Sequence, residues 1–218
     1  MEVRKAMDSK ELSQIIKASI PEKVLKSSDI PSIDLYLDQI LTLVADKTGS
    51  ASSGTLTKTM INNYSKDGLI KPIKGKKYSK EHIIQMMIIY YLKGVLSIGD
   101  IKRIFDGVYS DDSFSGDELI AAYDRFLDIR ATESELCGNM ITHLTEQTEL
   151  DPNKTDEFLI MLMSIVSVCD CLKNSALQMI ALKYPCTDKA PSQSKAEKSK
   201  EKKSKKANDD PNAEAPVT

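Results

Sequence analysis

Leu56-Thr57-Lys58-Thr59-Met60-Ile61-Asn62-Asn63-Tyr64-Ser65-Lys66-Asp67-Gly68-Leu69-Ile70 is the most informative stretch of this 218-residue chain. Thr57 offers a hydroxyl cap to a short helix in which Met60, Ile61 and Tyr64 recur at helical spacing. Gly68 comes next as a natural left-handed terminator. On that helix Lys58, Asn62 and Ser65 share one polar face, with Thr59, Asn63 and Lys66 beside it, while the apolar residues turn inward. Asparagine suits bidentate reading of adenine edges, and lysine pairs with phosphate or guanine.

Downstream, Lys71-Pro72 and Lys74-Gly75-Lys76-Lys77 form a short basic, hairpin-like turn with Gly75 at a tip that permits positive φ. Ser79 starts a helix carrying Ile83, Met86, Met87, Tyr90 and Tyr91, and Gly94 breaks it. Ser97-Ile98-Gly99-Asp100 fits a capping pattern and starts another helix, running to Phe105. Upstream, Pro31 and Ser32 precede a helix predicted from about Ile33 to Lys47, with Leu37, Ile40, Leu41 and Val44 as its apolar stripe. Gly49 to Gly54 is a Gly/Ser linker. Residues 1–30 read as short amphipathic helices, with Leu12, Ile15, Ile16 and Ile20 on one face.

This order of elements resembles the DNA-binding head of the MerR class of winged helix-turn-helix regulators. The resemblance lies in Met60 to Ile70, in Lys77-Tyr78-Ser79 leading into Glu81 and Ile83, and in Leu96 to Ile101. More closely, Leu56 to Tyr64 and Ile33-Asp34-Leu35-Tyr36-Leu37-Asp38-Gln39 are similar to a bacterial family known as domain of unknown function 1836. That likeness covers roughly residues 30 to 110. The MerR resemblance implies a supporting helix at 33–47, a recognition helix at 57–67 and a wing at 70–78. It also implies that the Tyr64 hydroxyl reaches phosphate. This chain departs from the MerR pattern in three places: the long Gly/Ser linker, Asn62 where the class often carries Arg, and a shorter wing. The DNA-binding set expected is Thr57, Lys58, Thr59, Asn62, Asn63, Tyr64, Lys66, Lys71, Lys74, Lys76, Lys77 and Tyr78.

The formal net charge of −2 hides a division. From Thr57 to Asp106 ten basic residues face four acids, a balance of +6, whereas Gly107 to Cys186 holds five against fourteen, a balance of −9. Only the first segment is suited to a polyanion such as double-stranded DNA. The chain opens on a polar stretch rather than an apolar run, so no signal peptide is expected. Leu159 to Leu172 is about 14 residues, short of the roughly 20 that cross a bilayer, and it contains Asp170. No membrane association is expected, and a cytoplasmic protein is. Cys137, Cys169, Cys171 and Cys186 match no zinc spacing, and His82 and His143 lie far apart. The cysteines are read as reduced packing residues, with no metal and no cofactor. No phosphate-binding glycine loop, G-x-S-x-G or H-E-x-x-H occurs, so catalysis is not expected.

After an acidic turn at Asp111 to Gly116, one helix is predicted from about Asp117 to Glu149 and a second from Thr155 to about Lys183. Both carry wide apolar faces, so a homodimer through 117–149 and 155–183 is expected, with a closed monomeric bundle as the rival. From Pro185 onward a Lys/Ser/Glu run (Lys195 to Lys206) and an acidic end lack the apolar residues to fold alone.

The fold expected is therefore mainly α, with little sheet beyond a two-strand wing. It comprises an N-terminal helical extension (1–32), a MerR-like winged helix-turn-helix (33–106), a helical hairpin for dimerisation or effector binding (110–184) and a disordered Lys-rich tail (185–218). The function expected is that of a sequence-specific DNA-binding protein and transcriptional regulator. The rival is a non-catalytic protein-interaction adaptor that retains the winged helix.

Overall fold

A computed structural model describes residues 9–19, 23–48, 56–73 and 75–185. The Gly/Ser linker, Lys74, Cys186 and the Lys-rich tail lie outside these residues. The architecture is mainly helical. In chain order come α1 (Ser9–Ser19), a single 3-10 turn (Ser27–Asp29), β1 (Leu35–Tyr36), α2 (Leu37–Thr48) and α3 (Lys58–Lys66). Next are β2 (Lys77–Tyr78), α4 (Lys80–Leu92), α5 (Ile98–Tyr109), α6 (Gly116–Arg130), α7 (Glu133–Thr148) and α8 (Thr155–Lys183).

The expected helix from Ile33 begins four residues late. Leu35 and Tyr36 are extended and pair antiparallel with Tyr78 and Lys77. The helix then starts behind Tyr36, whose backbone N–H donates to the Gln39 side-chain oxygen at 2.8 Å, half of a capping box. The sheet is therefore not a hairpin inside the 70–78 turn: among the described residues that turn supplies one strand, and its partner comes from before α2.

α4 is the centre of the core. Ile83, Ile84, Gln85, Met86, Met87 and Ile89 are all buried, so it is covered on nearly every side and not along the single stripe its sequence suggests. α6 lies against it, contributing Leu119, Tyr123 and Leu127 to the same core as Ile40, Ile61 and Ile101. The segment preceding β1 is tied to α6 by polar contacts. The Tyr123 hydroxyl donates to the Leu25 carbonyl at 2.6 Å, and Ser27 donates through its N–H (3.2 Å) and its hydroxyl (2.5 Å) to the Asp124 carboxylate.

The single helix expected from Asp117 to Glu149 is two helices. At Ala131 and Thr132 the chain tightens: the Thr132 N–H and hydroxyl both donate to the Ile129 carbonyl (3.0 and 2.7 Å). Arg130 lies 4.5 Å above the Tyr91 ring, which holds the end of α6 on α4, and its Nε is 3.4 Å from Glu133. α7 then leaves α6 to pack on α1 and α8. Thr132-x-x-Glu135 matches the pattern of a helix start, although no side-chain cap forms there. Among the described residues no helix is long and apolar enough to cross a membrane.

Removing the Tyr123 hydroxyl leaves a buried carbonyl without its donor. Tyr123→Phe is expected to lower stability by about 1–2 kcal/mol, read as a fall in the urea midpoint at unchanged m-value.

Candidate nucleic-acid interface

The helix α3 is set by its ends. The Thr57 hydroxyl accepts from the Met60 N–H at 3.2 Å, and no acidic residue occupies the first turn, so no carboxylate of that turn offsets the positive end of the helix dipole. At the other end Gly68 adopts φ +69° and the Lys102 ammonium donates to the Asp67 carbonyl at 3.0 Å. Between these ends Ile61 and Tyr64 face the core. Lys58, Thr59, Asn62, Asn63, Ser65 and Lys66 are exposed, as is Thr57.

The connection after α3 is held by one buried amide. Gln85, 1% exposed, donates from Nε2 to the Leu69 carbonyl at 2.7 Å and accepts from the Lys71 N–H at 3.1 Å. Leu69 and Ile70 are thereby pinned in the core beside α4. The chain then runs out to Gly75, at φ +76° and with open space around it, and returns through exposed Lys76 and Lys77 into β2. Asn62 and Ser65 of α3 line the same groove, of about 630 Å³, as Tyr78 of β2 and Phe105, Asp106 and Tyr109 of α5. The asparagine-bearing helix and the base of the basic turn are therefore neighbours.

Three of the expected contact residues are placed otherwise than as free contacts. Tyr64 and Tyr78 are core residues, 5% and 6% exposed, and burial pushes the Tyr64 phenol up. Helical spacing alone already turns Tyr64 inward, and the structure buries its side chain as that spacing predicts. Lys71 donates to the Glu81 carboxylate at 2.7 Å and its ammonium stands 3.8 Å over the Tyr109 ring, so its charge is compensated within the fold. Lys74 lies outside the described residues. Lys93, counted in the basic balance, is drawn toward Met60 Sδ (3.7 Å) and the Tyr90 ring, and burial lowers its affinity for a proton.

One residue escapes the sequence reading. Tyr36 is half exposed, and the Lys77 ammonium lies 5.1 Å from its ring centre, placing an aromatic face beside the basic turn. Its signal is available only through the pairing of Tyr36 with Lys77, a contact between residues 41 positions apart.

Among the described residues no group of three or more histidine, cysteine or acidic side chains could hold a metal ion. Cys137, Cys169 and Cys171 are free thiols. Cys169 and Cys171 are exposed, so they do not pack within the chain as expected.

Residues 25–126, just under half of the chain, match the protein family described as Domain of unknown function (DUF1836). The match contains both segments that carry the resemblance to that family and extends through most of α6. No curated protein and no solved structure matches the chain.

The Gln85 amide serves two backbone groups at once. Gln85→Leu keeps the volume and removes both partners; a loss of about 2–3 kcal/mol is expected in chemical denaturation, with faster amide exchange at Lys71.

Proposed function

We propose that this protein binds double-stranded DNA through the exposed face of α3, acting as a transcriptional regulator in the bacterial cytoplasm. The observation that carries this reading is the exposure of Lys58, Asn62, Asn63 and Lys66 on one short, capped helix, with Lys76 and Lys77 exposed on the turn beyond it. Asn62 and Asn63 are the candidates for reading base edges; the lysines are the candidates for phosphate. The succession β1, α2, α3, basic turn, β2, with β2 returning to pair with β1, supports the finer reading as a MerR-like winged helix-turn-helix. In that reading α2 braces α3, and the two are in contact.

The interface is smaller than the sequence balance of +6 implies. Lys71 and Lys93 are engaged within the fold, and the Lys102 ammonium bonds a backbone carbonyl, so affinity rests on a few cations. Binding is then modest, with a salt dependence shallower than the full charge balance implies.

Fluorescence anisotropy with a pool of random duplexes at rising salt tests the reading. If Lys58, Lys66 and Lys76 each neutralise a phosphate, their joint replacement by Glu abolishes binding and they account for about −3 of the slope of log K against log salt. Asn62→Ala is expected to lower preference for a selected site by about 1–3 kcal/mol while leaving nonspecific affinity unchanged. Absence of binding to any duplex at low ionic strength excludes the reading. Binding unaffected by the triple replacement would move the site away from α3.

A further inference from the structure

α8 is apolar on opposite sides, and among the described residues only one side is packed against the rest of the chain. Phe158, Met161, Ile165 and Val168 form its inner stripe, with Met161 buried and the others half-buried. Farther along, Leu177 and Ile180 join the main core. Tyr184, immediately after the helix, accepts a hydrogen bond from Arg103 Nε through its carbonyl, and its ring lies on Gly107. On the outer side Leu159, Met163 and Val166 are 57%, 64% and 65% exposed, with Ile160 and Leu162 flanking them. Five large apolar side chains within eight residues leave on the order of 400–500 Å² open to water, as large as the biggest apolar patch of a typical monomer. The largest apolar patch of a monomer is often functional.

The charges bordering the stripe indicate what covers it. Asp156, Leu159, Met163, Val166, Asp170 and Lys173 succeed one another at alternating steps of three and four residues, one line along the helix. Lys154 is paired with Glu157 at 2.8 Å, whereas Asp156 and Lys173 are exposed and make no ion pair among the described residues. A second α8 laid parallel and in register would set Asp156 on Asp156 and Lys173 on Lys173. Laid antiparallel about an axis midway between Met163 and Val166, it sets Met163 against Val166 and Asp156 against Lys173, twice by symmetry. Leu159 then lies against Asp170, whose carboxylate accepts from the Asn174 amide at 3.0 Å.

From this self-complementary line we infer that the outer face of α8 is the contact surface for a second copy of the chain, packed antiparallel with Asp156 opposite Lys173. The surface lies outside residues 25–126, so it belongs to a different part of the chain from the family match. It gives the homodimer expected from the sequence one helix, where the sequence offered two, and it stands whether or not the chain binds DNA. The apolar stripe falls short of the roughly 800 Å² per side of a standard interface, so the association expected is reversible and micromolar.

Sedimentation velocity on the full chain between about 1 and 100 µM tests this inference, with circular dichroism confirming that each variant is folded. Wild type is expected to pass from monomer to dimer over that range, and Met163→Glu with Val166→Glu to remain monomeric. Asp156→Lys alone and Lys173→Asp alone should each weaken the dimer about three- to tenfold, and the two together should restore it. A wild-type monomer at the highest concentration overturns the inference. So does a double charge swap no tighter than either single, or a dimer indifferent to the glutamates at 163 and 166.

Discussion

A single buried amide fixes the most consequential piece of this structure. α4 buries apolar side chains on nearly all sides, which secures the helix in the core but gives the chain running past it few polar groups to grip. Gln85 is the buried one. An amide in such surroundings is costly unless both its ends are satisfied, and here the Leu69 carbonyl and Lys71 N–H satisfy them. The same two bonds tell the chain leaving α3 where to go. Without them two backbone groups would lie beside an apolar helix with no partner, and the basic turn would lose its base.

Proximity to this apolar helix also sorts the lysines. Close to α4 a cation must find a partner or leave, so Lys71 sits between Glu81 and the Tyr109 ring. Lys93, similarly close in, is held at a lowered proton affinity by its burial. Beyond the core, Lys58, Lys66, Lys76 and Lys77 stay in water. Counting charges along a sequence treats these two groups alike, and the fold does not.

The local features were legible because they are set by neighbours in the chain. The Thr57 and Ser97 caps, the left-handed Gly68 and Gly75, and the apolar stripe of Ile40 and Val44 are all as their residues predict. The features that escaped depend on distant partners. Strands of two residues carry no periodicity, so the pairing of Leu35–Tyr36 with Lys77–Tyr78 leaves no pattern to read. The break between α6 and α7 is held in part by Arg130 on Tyr91, a contact between helices. At Tyr64 helical spacing points the side chain inward while the family resemblance implies an outward hydroxyl, and the packing of the side chain follows the spacing.

The seat of Tyr184 on Gly107 has a mechanical consequence. A methyl group on Gly107 would collide with the Tyr184 ring, so the ring rests directly on the backbone of α5. A shift of the far end of α8 toward α5 would press the Tyr184 ring against that backbone. α5 in turn supplies Phe105, Asp106 and Tyr109 to the wall facing Asn62 and Ser65. α5 thus touches the end of the last helix on one side and lines the groove of the asparagine-bearing helix on the other.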